Sequence, residues 1–270
     1  MPGHVRVALN LLLAGGLWLL TTFAGMAESL KVGGAGGALG TMRQVSALFV
    51  TATGVSLEIV PSLGSGGGLR AVRDGMLDLA ISARPLTEKE STAGLRMVFS
   101  TRTPFVFVTS WNKPRSLTRS EIAHMFAGPE VAWDETHPVR AILRPPLESD
   151  YAVLFAEFPG TETAVAALRR RGDVPVAPTD QDNLDLAERL PGSFVTTTLA
   201  QLRTENRALW IVPIDGVVPD LDALQDGRYP FAKTFHFVVS PRSDARATKL
   251  ISYLQSPEGQ VALRQAGNLQ

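Results

Sequence analysis

The segment Val55–Ile81 reads VSLEIVPSLGSGGGLRAVRDGMLDLAI and is the most informative stretch of the chain. Its first five residues alternate apolar and polar side chains, which is typical of a strand. Pro61–Gly68 is rich in turn residues, Leu69–Met76 carries apolar residues at helical spacing, and Leu77–Ile81 alternates again. The order strand, glycine-rich turn, helix, strand predicts an α/β fold.

The same order occurs one unit earlier. Leu30–Val32 predicts a short strand, Gly33–Gly37 a flexible turn, and Met42–Ala52 a helix. A helix N-terminus presents free N–H groups and a partial positive charge, and glycine lets a ligand approach the backbone closely. Two such turns in one half of the chain therefore predict an anion-binding site. Its candidate donors are Gly36, Gly37, Ser65 and Gly66.

The rest of the chain predicts two lobes. Phe105–Thr109 is a continuous apolar run, as expected for a buried strand, and the polar stretch Trp111–Pro114 follows it. Leu209–Val212 predicts a strand that returns from a segment with its own helices. We expect hinge strands at these two apolar runs. The predicted boundaries are residues 28–109 and 208–270 for lobe I and residues 110–207 for lobe II.

The first 27 residues have the three-part pattern of a secretory signal. Arg6 provides a basic start, Leu9–Leu20 is mostly apolar, and Ala24–Ala27 offers small residues for a cut after Ala27. The apolar run is shorter than the about 20 residues of a spanning helix, which favours cleavage over an N-terminal anchor. The chain has no cysteine, which excludes lipid attachment and disulfides. We expect a freely diffusing, monomeric protein in the periplasm.

Composition and motifs argue against several function classes. The formal net charge is zero, so charge gives no reason to expect nucleic acid as a partner. The sequence has no P-loop, no serine-nucleophile elbow and no paired-histidine zinc motif. Asp180, Asp182 and Asp185 lack calcium-loop spacing and are interpreted as helix-capping residues. We therefore expect no enzyme, no cofactor and no metal site.

Four blocks of sequence resemble the phosphate-binding, PstS-like proteins of ABC transporters. They lie in family order and span nearly the whole chain after the signal. The blocks are LGSGGGLRAVRDGMLDLAISARPLTEKE (63–90), SLTRSEIAHMFAGPEVAW (116–133), IDGVVPDLDALQDGRYPF (214–231) and YLQSPEGQVALRQAGNL (253–269). The resemblance implies a type II periplasmic binding fold, in which two α/β lobes trap a ligand between them.

The resemblance also implies a set of ligand-binding residues, because the family holds a tetrahedral oxyanion with main-chain N–H groups, hydroxyls, an arginine and an aspartate. The implied residues are Gly36, Gly37, Ser65, Gly66, Ser82, Arg84, Arg144 and Ser149. Three departures stand out. Gly36 and Gly37 occupy places where the family often has a hydroxyl residue followed by an apolar one. Ala83 occupies a place where phosphate binders of the family can have aspartate. Ser149 matches only with a one-residue shift, and the Gly-Thr pair of the family is missing.

Arg144 has two possible roles at this stage. Its guanidinium suits an oxyanion, but Glu148 and Asp150 follow closely and could form a salt bridge with it. Either carboxylate would also repel a bound dianion in a poorly solvated cleft.

The resemblance implies a binding protein that captures phosphate or a related oxyanion and docks to the permease of an ABC transporter. The alternative is a regulatory or sensory protein of the same fold, with an altered or lost ligand and a membrane sensor as partner. A secreted hydrolase is a third reading, which the missing catalytic motifs disfavour.

Overall fold

The computed structural model describes residues 29–61, 63–128, 130–243 and 245–270. The predicted signal peptide, with its cut after Ala27, lies outside the described residues. Within the described part of the chain, no helix is both long enough and apolar enough to cross a membrane.

Helices and strands alternate along the first half of the chain, as the sequence predicts, and consecutive helices occur in the second half. The strands are β1 (Ser29–Gly34), β2 (Ser56–Ile59), β3 (Leu79–Ser82), β4 (Arg96–Thr109), β5 (Arg140–Ala141), β6 (Ser193–Thr198), β7 (Trp210–Val212) and β8 (Ala232–Val239). The helices are α1 (Gly36–Thr53), α2 (Gly64–Arg73), α3 (Glu88–Thr92), α4 (Ile122–Met125), α5 (Asp150–Glu157), α6 (Thr161–Arg170), α7 (Asp180–Arg189), α8 (Leu199–Thr204), α9 (Leu221–Gln225), α10 (Ala245–Gln255) and α11 (Pro257–Gln265).

The first half of the sheet has the strand order β2-β1-β3-β8-β4. β1 pairs in parallel with β2 and β3, whereas β8 runs antiparallel to β3 and β4. Apolar side chains cover both faces of these strands. One cluster contains residues of β1, α1, β8 and α10, and a smaller one contains residues of α2 and β3. The repeated order of strand, turn and helix thus places the N-termini of α1 and α2 after β1 and β2.

The second half of the sheet uses the C-terminal part of the same strand, β4. Phe105–Val108 pairs antiparallel with β6, and Phe107–Thr109 pairs antiparallel with β7. β5 continues the sheet as a parallel neighbour of β6. Aromatic residues dominate one face of these strands, with Phe107 stacked on Phe194 at a ring-centroid distance of 5.3 Å.

Two strands connect the halves. β4 and β8 pair as far as Pro104 opposite Ala232, and the N–H of Phe105 donates to the carbonyl of Phe231 at 3.0 Å. β7, which the sequence assigned as a hinge strand at the start of the returning lobe I segment, instead pairs within the second half. Its Val212 packs in the same apolar cluster as Phe105 and Phe107. We therefore propose lobe boundaries at residues 104/105 and 231/232, in place of 109/110 and 207/208.

Candidate functional site

The N-terminus of α1 donates a hydrogen bond to a carboxylate from a distant part of the chain. Ala35, which precedes the helix, has no capping side chain, and the first turn of α1 contains no acidic residue. The N–H of Gly37 donates to Oδ2 of Asp180 at 2.9 Å. The next residue of α7 also reaches this point, because Nε2 of Gln181 donates to the carbonyl of Gly36 at 3.2 Å. The predicted anion-binding turn therefore holds an anionic group of the protein itself.

The second glycine-rich turn leads into α2. The hydroxyl of Ser65 accepts a hydrogen bond from the N–H of Ala83 at 2.9 Å, which ties this turn to the end of β3. A Cβ at Gly68 would lie 2.6 Å from the Cα of Gly34, so this glycine is needed for close packing of α2 on β1. A Cβ at Gly66 would make only an ordinary contact with the end of the Arg70 side chain. The packing of α2 on β1 therefore does not require glycine at position 66.

Ser82 and Arg84 form a local network at the end of β3. The Ser82 hydroxyl donates to the carbonyl of Arg84 at 2.7 Å, and the Arg84 guanidinium forms a two-pronged ion pair with Glu90 at 2.7 and 2.8 Å. Hydrogen bonds from Arg84 first, and from Thr87 as well, lower the pKa of Glu90 to about 2. Arg84 is thus engaged with α3, and its assignment to ligand binding stays a prediction.

Arg144 is buried, with 2% of its surface exposed, and its donors converge on the start of α7. One terminal nitrogen donates to the carbonyls of Ala177 and Thr179. The other donates to Oε2 of Glu148 at 2.9 Å and to Oδ1 of Asp180 at 3.0 Å. Of the two roles that the sequence left open, the salt bridge is present, and Asp180 takes part in it along with Glu148.

Ser149 lies next to this ion pair. Its N–H and its hydroxyl both donate to Oε1 of Glu148, at 3.0 and 3.1 Å. Ser149 therefore orients the carboxylate that Arg144 binds.

A second, more deeply buried ion pair joins the lobes beside Arg144. Lys233, the second residue of β8, contacts Oδ1 of Asp150, the first residue of α5. The other oxygen of Asp150 accepts from the Thr196 hydroxyl at 2.8 Å. Burial acts to raise the pKa of Asp150, but the charges of Lys233 and Arg144 hold that pKa below its ordinary value. Burial acts to lower the pKa of Lys233, and Asp150 and Asp180 outweigh it and raise that pKa.

These groups form one network of three carboxylates and two cations. Carboxylate oxygens of Glu148, Asp150 and Asp180 lie within 4.8 Å of one another, a spacing that could suit a metal ion. Arg144 and Lys233 already pair with these carboxylates, so the network is better described as an ion-pair cluster than as a metal site. Burial raises the pKa of Asp180, against the charges of Lys233 and Arg144.

The structure brings together part of the predicted set. Asp180 links Gly37 to Arg144, and Glu148 links Arg144 to Ser149. The sequence interpretation of Asp180 as a helix cap is wrong, because Thr179 caps α7 by accepting from the N–H of Asp182. Lys233 was missed altogether. A lysine inside the largely apolar strand β8 was the available signal, since lysine is seldom fully buried without a partner.

A separate groove of about 1000 Å³ lies between α1, α10 and α11. Leu48, Tyr253 and Val261 line it. Leu48 is eleven residues after Gly37 in α1, which places the groove about 16 Å along the helix axis from the ion-pair cluster. It is therefore distinct from the interlobe site.

The α/β architecture, with two halves joined by β4 and β8 and the N-terminus of α1 at their junction, defines a two-lobed fold. The chain matches the PBP superfamily domain over residues 21–258 and belongs to that superfamily. The fold class predicted from the sequence is confirmed, as is the resemblance at the level of family and fold. No curated protein sequence matches the chain.

Three solved structures illustrate the similarity. A candidate phosphate ABC transporter substrate-binding protein from Clostridium perfringens, with bound phosphate, has 17% identity and a TM-score of 0.75 over 90% of this chain and 99% of that chain. An ABC-type phosphate transport receptor from Vibrio cholerae has 14% identity and a TM-score of 0.60, with 89% and 99% covered. A periplasmic molybdate-binding protein from Azotobacter vinelandii has 18% identity and a TM-score of 0.58, with 89% and 99% covered.

Proposed function

We propose that this chain is a periplasmic solute-binding protein that captures phosphate or a related oxyanion between its lobes for the permease of an ABC transporter. One observation carries the proposal: Gly37 from one lobe and Arg144 from the other donate to the two oxygens of a single carboxylate. Donors from two lobes that converge on one pair of oxygens are suited to close around an oxyanion. The names of the similar structures, which include phosphate and molybdate binders, support the ligand class.

Export follows from the same proposal. Residues 1–27 act as the signal peptide, and the mature chain begins at Glu28. N-terminal sequencing of protein recovered from the periplasm should therefore start at Glu28. Recovery of the uncut chain in the membrane fraction would contradict this.

Calorimetric titration of the mature chain with phosphate, sulfate and molybdate tests the binding function. We expect at least one anion to bind the wild type, and Arg144→Ala to weaken that binding about tenfold to a hundredfold, because a charge-assisted hydrogen bond is worth about 1.5–3 kcal/mol. Arg144→Lys should also weaken binding, since it keeps the charge and loses the planar fork. Arg43→Ala removes an exposed arginine of α1 and is the matched control. Tight binding that survives Arg144→Ala would remove Arg144 from the site.

A regulatory or sensory protein with an altered or lost ligand is the second candidate. The observation that favours it is the pairing of Arg144 with both Glu148 and Asp180, which leaves the site with little net positive charge. The presence of Ala83, in place of a carboxylate that could accept the proton of a phosphate, points the same way. Failure of all three anions to bind the wild type at millimolar concentration would favour this candidate over transport.

A further inference from the structure

We infer that Asp180 is an internal ligand, whose carboxylate occupies the oxyanion position, holds the two lobes together and must be displaced before an external oxyanion binds. The inference rests on the proposed function for the nature of the external ligand. It rests on the described contacts alone for the role of Asp180.

The position of Asp180 in its own helix does not explain its contacts. Asp180 is the first residue of α7, but Thr179 already caps that helix through the N–H of Asp182 at 3.1 Å. The Asp180 carboxylate instead reaches 143 positions back along the chain, to the N–H of Gly37. It therefore serves the helix of the other lobe.

The helix that receives this carboxylate, α1, has no side chain of its own that caps its N-terminus. α1 is 18 residues long, begins without a capping side chain and has no acid in its first turn. The first N–H groups of a helix have no partner within the helix and carry a partial positive charge, so such an N-terminus favours an anion. Asp180 supplies that anion from within the molecule.

Arg144 provides independent evidence that an oxyanion position is built here. The arginine is 2% exposed, and its terminal nitrogens are fixed by two carbonyls and two carboxylates. Its Nε is buried and has no hydrogen-bond partner among the described residues. A buried guanidinium with one donor still unused can accept one more oxygen than Asp180 and Glu148 provide.

The contacts of Gln181 extend the same junction. Its Nε2 donates to the carbonyl of Gly36, in lobe I, and to Oε1 of Glu205 at 2.8 Å. Asp180 and Gln181 thus bind the N–H and the carbonyl of neighbouring residues at the start of α1. Two consecutive residues of α7 therefore attach lobe II to this turn without an external ligand.

Charge explains why Asp180 and an external oxyanion exclude each other. The cluster contains the carboxylates of Glu148, Asp150 and Asp180 and the cations Arg144 and Lys233. A phosphate dianion added to this set would meet one more carboxylate than cation at short range, and like charges in a poorly solvated site repel strongly. When Asp180 withdraws, the cluster has as many cations as carboxylates before the anion enters. The withdrawal also frees the hydrogen-bond donors of Gly37 and Arg144.

The test removes the carboxylate of Asp180 by substitution and then adds phosphate or formate as an external anion. Asp180→Ala and Asp180→Asn are compared with the wild type and with Asp182→Asn, which makes the same charge change at an exposed position of the same helix. Phosphate affinity is measured by calorimetry. Thermal unfolding is followed in sodium formate and in sodium chloride of equal ionic strength, because formate is the carboxylate group that Asp180→Ala lacks.

We expect Asp180→Ala and Asp180→Asn to bind phosphate at least tenfold more tightly than the wild type, and Asp182→Asn to bind like the wild type. At a formate concentration ten times its dissociation constant, formate should raise the Tm of Asp180→Ala by roughly 3–5 °C and leave the wild type and Asp182→Asn unchanged. If Asp180→Ala does not fold, the phosphate affinity of Asp180→Asn, which keeps the shape of the side chain, decides the question.

The outcomes separate this inference from the proposed function. Formate stabilisation of Asp180→Ala, without binding of phosphate, sulfate or molybdate to any variant, would support the internal ligand and contradict capture of these anions. Phosphate affinity that is equal in the wild type and both Asp180 variants, without a formate effect, would overturn the internal ligand. In that case tight wild-type binding would leave oxyanion capture in place.

Discussion

Replacement of Lys233 by methionine is expected to lower the free energy of unfolding by about 3–5 kcal/mol, because it leaves a buried carboxylate without its cation. The side chains of Lys233 and Asp150 are each 4% exposed, so water cannot take over the lost contact. Methionine keeps most of the apolar length of lysine, so the decrease in stability reflects the lost charge more than a change in side-chain volume. The remaining cation nearby, Arg144, is already shared between Glu148 and Asp180.

A double-mutant cycle isolates the pair. Asp150→Asn alone should cost about 2–4 kcal/mol, since Lys233 is then the unpaired buried charge and can lose its proton. The double variant should lose only about 1–2 kcal/mol, because no buried charge of this pair remains and the amide oxygen that replaces the carboxylate can still accept from Thr196. The coupling energy between the two positions is therefore expected to be about 3 kcal/mol or more.

Urea unfolding followed by far-ultraviolet circular dichroism at pH 7 measures these differences. Because folding lowers the pKa of Asp150, this carboxylate stabilises the fold above its unfolded pKa near 3.8. Because folding raises the pKa of Lys233, this amine stabilises the fold below its unfolded pKa near 10.5. The pH of the assay lies within that window. Lys249→Met, at an exposed position of α10, should change stability by less than about 0.5 kcal/mol. Single variants that each lose under about 1 kcal/mol, or losses that simply add in the double variant, would refute the reasoning.

Two further predictions concern lobe I. Gly68→Ala should destabilise the protein by about 1–3 kcal/mol, because its Cβ would lie 2.6 Å from the Cα of Gly34. Gly66→Ala should be neutral or stabilising by up to about 1 kcal/mol. Equal unfolding midpoints for the two variants would contradict this. Glu90→Gln should lower stability at pH 7 by up to about 1 kcal/mol, since it breaks a partly exposed pair with Arg84. Because the folded pKa of Glu90 is lowered to about 2, its contribution is present above pH 4.5 and is lost as the pH falls towards 2, so urea titrations across this range should show the two proteins converging.

Local patterns were enough to predict much of the fold. The order of strand, turn, helix and strand predicted for Val55–Ile81 corresponds to β2, α2 and β3. The first half of β4 was harder, because Arg96 and Arg102 interrupt its apolar pattern. Those arginines lie on a strand with one partly solvated face, so their charge does not exclude β structure.

The site was less predictable because its contacts join distant positions. The glycine-rich turns and Arg144 follow from local sequence and from family resemblance. The bond from Gly37 to Asp180 and the pair of Lys233 with Asp150 depend on how two separate parts of the chain are placed. Asp180 also has a plausible local role, as a residue of the first helical turn. Local reasoning therefore assigned it to the wrong helix.

The path of the chain through the sheet has a consequence for the order of folding. Residues 105–231 are continuous, their strands pair with one another, and the aromatic cluster consists of residues from this segment. The other lobe needs both ends of the chain, because Ala80 pairs with Val238 across the whole of that insertion. Closing so long a loop is entropically costly while the insertion is unfolded, and a compact insertion brings Pro104 and Ala232 side by side. Until β8 is in place, β1 to β3 therefore form an incomplete sheet in which the β3 edge has no partner strand.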